Sequence, residues 1–182
     1  MAPELTLVLG GVRSGKSAFA EGLARQSDGP VLYLATGQVT DDEMAERIRR
    51  HREARPGHWG TLEEPLALAE ALRPVIDGPN PPGMVLLDSL DVWVSNLLLQ
   101  HEGEPFVDVE SLTLEALGRL LDLCRDSPAG SIMVSSEVGL SLVPPTPLGR
   151  HFQDLLGLAN QQVAAAATRV YLVVAGQPLA IK

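Results

Sequence analysis

This sequence predicts an α/β fold of the P-loop NTPase-like kind, a mainly parallel β-sheet flanked by helices with a short antiparallel strand at its C-terminal edge. Three observations lead there. Apolar runs of strand length alternate with helical patterns along the 182 residues, which requires a mainly parallel sheet with crossover helices. Runs such as Val31–Ala35 (VLYLA) and Met84–Leu87 (MVLL) are apolar almost throughout, as strands buried on both faces are. The first run leads into Gly10, with Gly15, Lys16 and Ser17 following at GxxxxGKS spacing, directly before a helical pattern.

Taken in order, Leu5 to Leu9 reads as a strand and Lys16 to Arg25 as a helix whose packing face is Phe19, Leu23 and the alanines. The polar turn Ser27 to Pro30 ends that helix, and Val31 to Ala35 is the return strand of a parallel β-α-β unit. TDDE at Thr40 to Glu43 has the form of a capping box, so a helix is expected from Asp41 through Arg52, striped by Met44, Ala45 and Ile48. Pro56 and Gly57 break it. His58, Trp59 and Thr61 then lead to Glu63 and Glu64, and Leu66 to Leu72 reads as another short helix. DGPNPPG at Asp77 to Gly83 is the plainest loop, followed by a buried strand, Met84 to Leu87, ending in Asp88.

Helices are expected over Asp91 to Gln100 and Val109 to Arg125, and a fourth strand over Ser131 to Ser135. Leu148 to Ala167 reads as a long helix with Phe152, Leu155, Ala159, Val163 and Ala166 on one face. Before it, Val138 to Pro147 is rich in glycine and proline and fits either a cover over a site or a surface crossing. Val170 to Ala175 supplies a fifth strand, and Gly176 turns it into a terminal strand at Leu179 to Ile181. With no repeats and no composition break, residues 1–182 read as a single nucleotide-binding domain.

The chemistry concentrates in the first turn. A triphosphate needs several converging backbone N–H groups, which a glycine-rich loop lets approach closely, and a helix N-terminus adds positive potential. Gly10, Gly11, Val12, Arg13, Ser14, Gly15, Lys16 and Ser17 are therefore the candidate nucleotide site. Lys16 is placed to reach the β- and γ-phosphates and Ser17 to hold Mg²⁺. A glycine turn with a surface lysine is the plainer alternative, but the chain holds lysine only at Lys16 and Lys182, so a chance match is less easily made. Asp88, at a strand end, fits a second Mg²⁺ contact through water, against a cap for the helix near Asp91. Arg47, Arg49, Arg50, Arg52 and Arg55 surround His51. That cluster reads equally as a solvated helix end favoured by the macrodipole or as a local anion-binding segment.

Composition bounds the remainder. A formal charge of -9 argues against a broad nucleic-acid-binding surface, so polyanion binding must be local. Cys124 is the one cysteine; within LLDLC it reads as a packed thiol and fits a reducing compartment. No basic segment precedes a long apolar core at the start of the sequence, and no apolar run approaches membrane-spanning length. A cytoplasmic protein without a membrane span is the expectation. Trp59 and Trp93 read as core in preference to ligand pocket.

Longer stretches carry a more specific likeness: GGVRSGKSAFAE at Gly10 to Glu21, YLAT at Tyr33 to Thr36, and DDEMAERIRRHREARPGHW at Asp41 to Trp59. EVGLSLVP at Glu137 to Pro144, RHFQDLLGLANQQVA at Arg150 to Ala164 and the terminal VYLVVAGQPLAIK continue it. Together these resemble the bifunctional adenosylcobinamide kinase / adenosylcobinamide-phosphate guanylyltransferase family of cobalamin biosynthesis. Ser136 stands where the family pattern has asparagine.

The resemblance implies two reactions. A nucleoside triphosphate, ATP or GTP, phosphorylates the aminopropanol hydroxyl of adenosylcobinamide; GTP then donates GMP to adenosylcobinamide phosphate, giving adenosylcobinamide-GDP and pyrophosphate. It implies that His51 carries GMP covalently, with His51 and Lys16 catalytic and Mg²⁺ held by Ser17 and Asp88. Further nucleotide contacts are implied at Ala35, Thr36, Gly37, Arg52, Glu53, Ala54, Arg55, Glu63 and Asp88, and a homotrimer as the assembly. A neutral imidazole is a competent nucleophile because its ordinary pKa lies at about 6.5, and nearby arginines disfavour the imidazolium form. No NKxD guanine-specificity motif is present, so guanine preference rests on the resemblance.

Overall fold

The computed structural model describes residues 4–27, 29–38, 45–46, 48–49, 52–53 and 56–182. Among them are seven strands: β1 (Leu5–Gly10), β2 (Val31–Ala35), β3 (Gly60–Glu63), β4 (Met84–Asp88), β5 (Gly130–Ser136), β6 (Arg169–Val174) and β7 (Gln177–Ala180). They form one sheet in the order β3-β2-β4-β5-β1-β6-β7. All neighbours pair parallel except β6 with β7, which are antiparallel. The expected fold class is therefore what the chain adopts. The connecting helices are α1 (Lys16–Ala24), α2 (Leu68–Ile76), α3 (Leu90–Gln100), α4 (Phe106–Asp126) and α5 (Pro147–Ala166).

The strands sort their apolar side chains by the period of two that a pleated backbone imposes. Leu5, Leu7 and Leu9 of β1, with Val85 and Leu87 of β4, face a large core shared with α2, α3, α4 and α5. Val8, Leu86, Ile132, Val134 and Val173 face the other way, onto Ala20 and Ala24 of α1 and onto Trp59. The two layers are thus unequal. Trp93 of α3 is buried in the larger core, and its indole N–H donates to the Leu66 carbonyl at 2.8 Å. Both tryptophans are core residues, as expected.

Three elements differ from the sequence reading. β3 was not anticipated, because GTLE is short and mostly exposed and lies at the sheet edge, so no apolar run marks it. α2 runs past the expected end at Leu72 to Ile76, with Pro74 inside it. Burial of Leu68, Ala69, Leu72 and Ile76 on one stripe outweighs the missing proline N–H. The terminal strand begins at Gln177 instead of Leu179 because the Ala175–Gly176 turn is only two residues long. The expected helix from Asp41 lies largely outside the described residues; 45–46, 48–49 and 52–53 are helical.

Register assembles the carboxyl edge. Val8, Val134, Asp88, Ala35 and Glu63 stand in one row across β1, β5, β4, β2 and β3. Gly10 and Ser136 are paired two residues beyond Val8 and Val134. The strands that end in expected site residues therefore present them along one rim, at about 4.8 Å per strand.

Candidate nucleotide site at the carboxyl edge

The phosphate loop leaves β1 at Gly10 and enters α1 at Lys16, with Gly15 at the helix N-cap in left-handed conformation (φ 96°). Arg13 also has positive φ, 56°, so the loop curls tightly between strand and helix. Its turn closes through Ser14 N–H donating to the Gly11 carbonyl at 3.2 Å. Gly10 is required by space: a Cβ there would come within 2.8 Å of the Val173 carbonyl and closer still to the Ser14 hydroxyl. Lys16 arches back over the loop, its Nζ donating to the Gly11 carbonyl at 3.4 Å. Ser17 lies in the first turn of α1 and is half-buried. The first-turn N–H groups of a helix lack intrahelical partners, so this end of α1 offers them to an anion.

The loop is braced from both sides. Glu137 N–H, just after β5, donates to the Gly10 carbonyl at 3.2 Å, and Gly176 N–H, in the β6–β7 turn, donates to the Ser14 carbonyl at 2.8 Å. Val12 points into solvent, 85% exposed. The Ser14 hydroxyl is buried without a hydrogen-bond partner.

Beside the loop, Asp88 ends β4, and its Oδ2 accepts from the hydroxyl of the buried Tyr33 at 2.7 Å. Thr36 is buried, accepting from Ser89 N–H at 2.9 Å and donating to the Ser89 carbonyl at 2.8 Å. Asn96, within α3, donates to the Thr36 and Pro65 carbonyls, tying that helix to the segment after β2 and to the one after β3. These ties make Thr36 a structural clamp in this state, whereas Gly37 is exposed.

Of the basic segment, Arg49 bonds to Glu46 (2.8 Å) and Glu53 (2.6 Å) along its own helix, which raises its pKa further. Arg52 pairs with Glu63 at the end of β3, so these two expected contacts meet each other. Glu53 is accordingly engaged with Arg49. His51, Arg47, Arg50, Ala54, Arg55 and the capping-box residues Thr40 to Glu43 lie outside the described residues.

Sequence reading missed a second polar group on the rim. Ser136 Oγ donates to Asp91 Oδ2 at 2.7 Å, and Asn160 of α5 donates to the Ser136 carbonyl at 3.0 Å. Asp91, in the first turn of α3, therefore holds the Ser136 hydroxyl. The 138–147 segment is tied to α5: Gln153 donates to the Val138 carbonyl and Arg150 to the Pro144 and Pro145 carbonyls. Cys124 is buried, and desolvation pushes its thiol pKa up, with a Ser131 hydrogen bond opposing.

A mainly parallel sheet with a glycine loop between an inner strand, β1, and a helix N-terminus defines a P-loop nucleotide-binding protein. The family model described as cobinamide kinase / cobinamide phosphate guanyltransferase (CobU) matches residues 6–181, and the chain belongs to that family. It is 43% identical to the bifunctional adenosylcobalamin biosynthesis protein CobU of Escherichia coli (strain K12) over 184 residues, spanning 98% of this chain and 99% of the relative. It is likewise 43% identical to the protein CobP of the same description from Pseudomonas aeruginosa over 176 residues, spanning 97% and 96%. Identity to CobU of Salmonella typhimurium is 41% over 192 residues, spanning 98% and 99%.

Proposed function

We propose that this chain performs both reactions of its family on one domain: phosphorylation of adenosylcobinamide, then transfer of GMP from GTP to adenosylcobinamide phosphate. The observation that carries the reading is the family match over residues 6–181, which contains the phosphate loop. In the kinase step the acceptor hydroxyl oxygen bonds to the γ-phosphorus, the γ-phosphorus to β-oxygen bond breaks, and the nucleoside diphosphate leaves as the hydroxyl proton is lost. Lys16, released from the Gly11 carbonyl, would then follow the charge onto the β- and γ-phosphates. In the second reaction an imidazole nitrogen of His51 bonds to the α-phosphorus and pyrophosphate leaves. A phosphate oxygen of adenosylcobinamide phosphate then attacks that phosphorus and frees the imidazole.

The nucleotide would lie on Gly10 to Ser17 and extend along the rim past Ala35, Thr36 and Gly37 towards Glu63 and Asp88. Arg52 would exchange Glu63 for the nucleotide; Glu53, Ala54 and Arg55 complete the proposed contacts. Ser17 and Asp88 would hold Mg²⁺, which supplies charge neutralisation on the phosphate oxygens when bound. The donors fit such an ion: a hydroxyl and a carboxylate are hard oxygen ligands, and Tyr33 orients the Asp88 carboxylate. The proposed assembly is a homotrimer acting in the cytoplasm. Among the described residues no helix is long and apolar enough to cross a membrane.

Incubation with α-labelled GTP and Mg²⁺ tests the reading. An acid-labile, hydroxylamine-resistant label should form on the wild type and be lost in His51→Ala. Lys16→Ala should lower phosphoryl transfer to adenosylcobinamide by about 100-fold or more while keeping the fold. A folded wild-type protein that takes no label would leave the kinase reaction alone.

A further inference from the structure

We infer that Gly176, in the turn of the C-terminal hairpin, is a positioning residue for the nucleotide phosphates, acting through the Ser14–Gly15 peptide. The inference rests on the phosphate loop holding a nucleoside triphosphate, as proposed above. In a trans peptide the carbonyl and the following N–H point in opposite directions. The Ser14 carbonyl is tied to Gly176 N–H at 2.8 Å. Gly15 N–H is therefore turned away from the hairpin, towards the hollow enclosed by the loop. Glu137 N–H holds the Gly10 carbonyl in the same manner and turns Gly11 N–H. Two peptide planes of the loop are thus oriented from outside it, before any anion arrives.

Gly15 is the residue that lets the hairpin approach closely enough for this. A Cβ on Gly15 would stand 3.3 Å from Gly176 Cα. Val174 pairs with Gln177, leaving Ala175 (φ 51°) and Gly176 (φ 78°) as a two-residue turn with both φ positive. That combination matches the twist of the strands it joins and fixes the direction of Gly176 N–H. A Cβ added at Gly176 itself meets nothing within 4 Å. Substitution there consequently acts on backbone conformation and not through a clash, which makes the residue a clean probe.

The test measures the GTP dissociation constant by titration calorimetry with Mg²⁺, alongside the thermal midpoint, for wild type, Gly176→Val, Gly176→Ala and Gly176→Asn. Valine is β-branched and strongly disfavours positive φ, whereas asparagine accepts it. The valine variant should bind GTP about tenfold more weakly, alanine should fall between, and asparagine should restore binding to within about twofold. Alanine keeps the comparison readable where valine prevents folding. A lowered midpoint with an unchanged dissociation constant in the folded variants would overturn the inference and leave Gly176 a purely structural turn residue. A folded wild-type protein that binds no GTP would overturn the functional reading as well.

Discussion

Tyr33 is the plainest case of one side chain setting up another. It is 1% exposed, and its hydroxyl donates to the Asp88 carboxylate at 2.7 Å, where the proposed ion would bind. Hydrogen bonds to charged groups contribute more than neutral ones, so Tyr33→Phe should cost about 1.5–3 kcal/mol, read as a shift of the urea midpoint. An unchanged midpoint would mean that water replaces the hydroxyl without loss. The phosphate loop was legible in the sequence because its glycines, lysine and serine lie within one turn, where spacing alone dictates geometry. Tyr33 and Asp88 are separated by 55 residues and Asn96 and Thr36 by 60, so neither contact leaves a local pattern. Ser136 likewise reads as the polar end of a strand until Asp91 is seen beside it.

At the scale of elements, the parallel strands were legible because burial on both faces makes them continuous apolar runs. β3, an exposed edge strand, has no such run, and the extension of α2 through Pro74 to Ile76 rests on a packing stripe that only the assembled core supplies. The β6–β7 turn shows a local conflict. Ala175 holds φ 51°, which a Cβ disfavours by about 1–2 kcal/mol, yet a two-residue hairpin of this kind requires it. Ala175→Asn should therefore stabilise the chain by about 1 kcal/mol, seen as a higher thermal midpoint. A fall in the midpoint would show that the alanine methyl packs in a way its exposed position does not indicate.

Across the whole molecule, the larger core takes up one face of the sheet with α2 to α5, and Cys124 of α4 lies within it. Burial raises the thiol pKa, so the folded state holds the proton more tightly than the unfolded chain does. Its contribution to stability is fully present below the ordinary thiol value of about 8.5 and is lost as pH rises through the raised folded value. Denaturant midpoints should thus fall more steeply between neutral and alkaline pH in the wild type than in Cys124→Ala. Equal slopes would mean that water reaches the sulfur. Thiol reagents should react at a rate set by opening of the core.

β1 is an inner strand whose partners come late: it lies between β5 and β6, whose residues are synthesised long after it. On the ribosome, residues 5–10 must therefore wait without strand partners, with only α1 to pack on them, until positions beyond 130 have emerged. Affinity for nucleotide should accordingly arise late in synthesis, and nascent chains arrested before the hairpin at 169–180 should fail to hold GTP even where most of the sheet has formed.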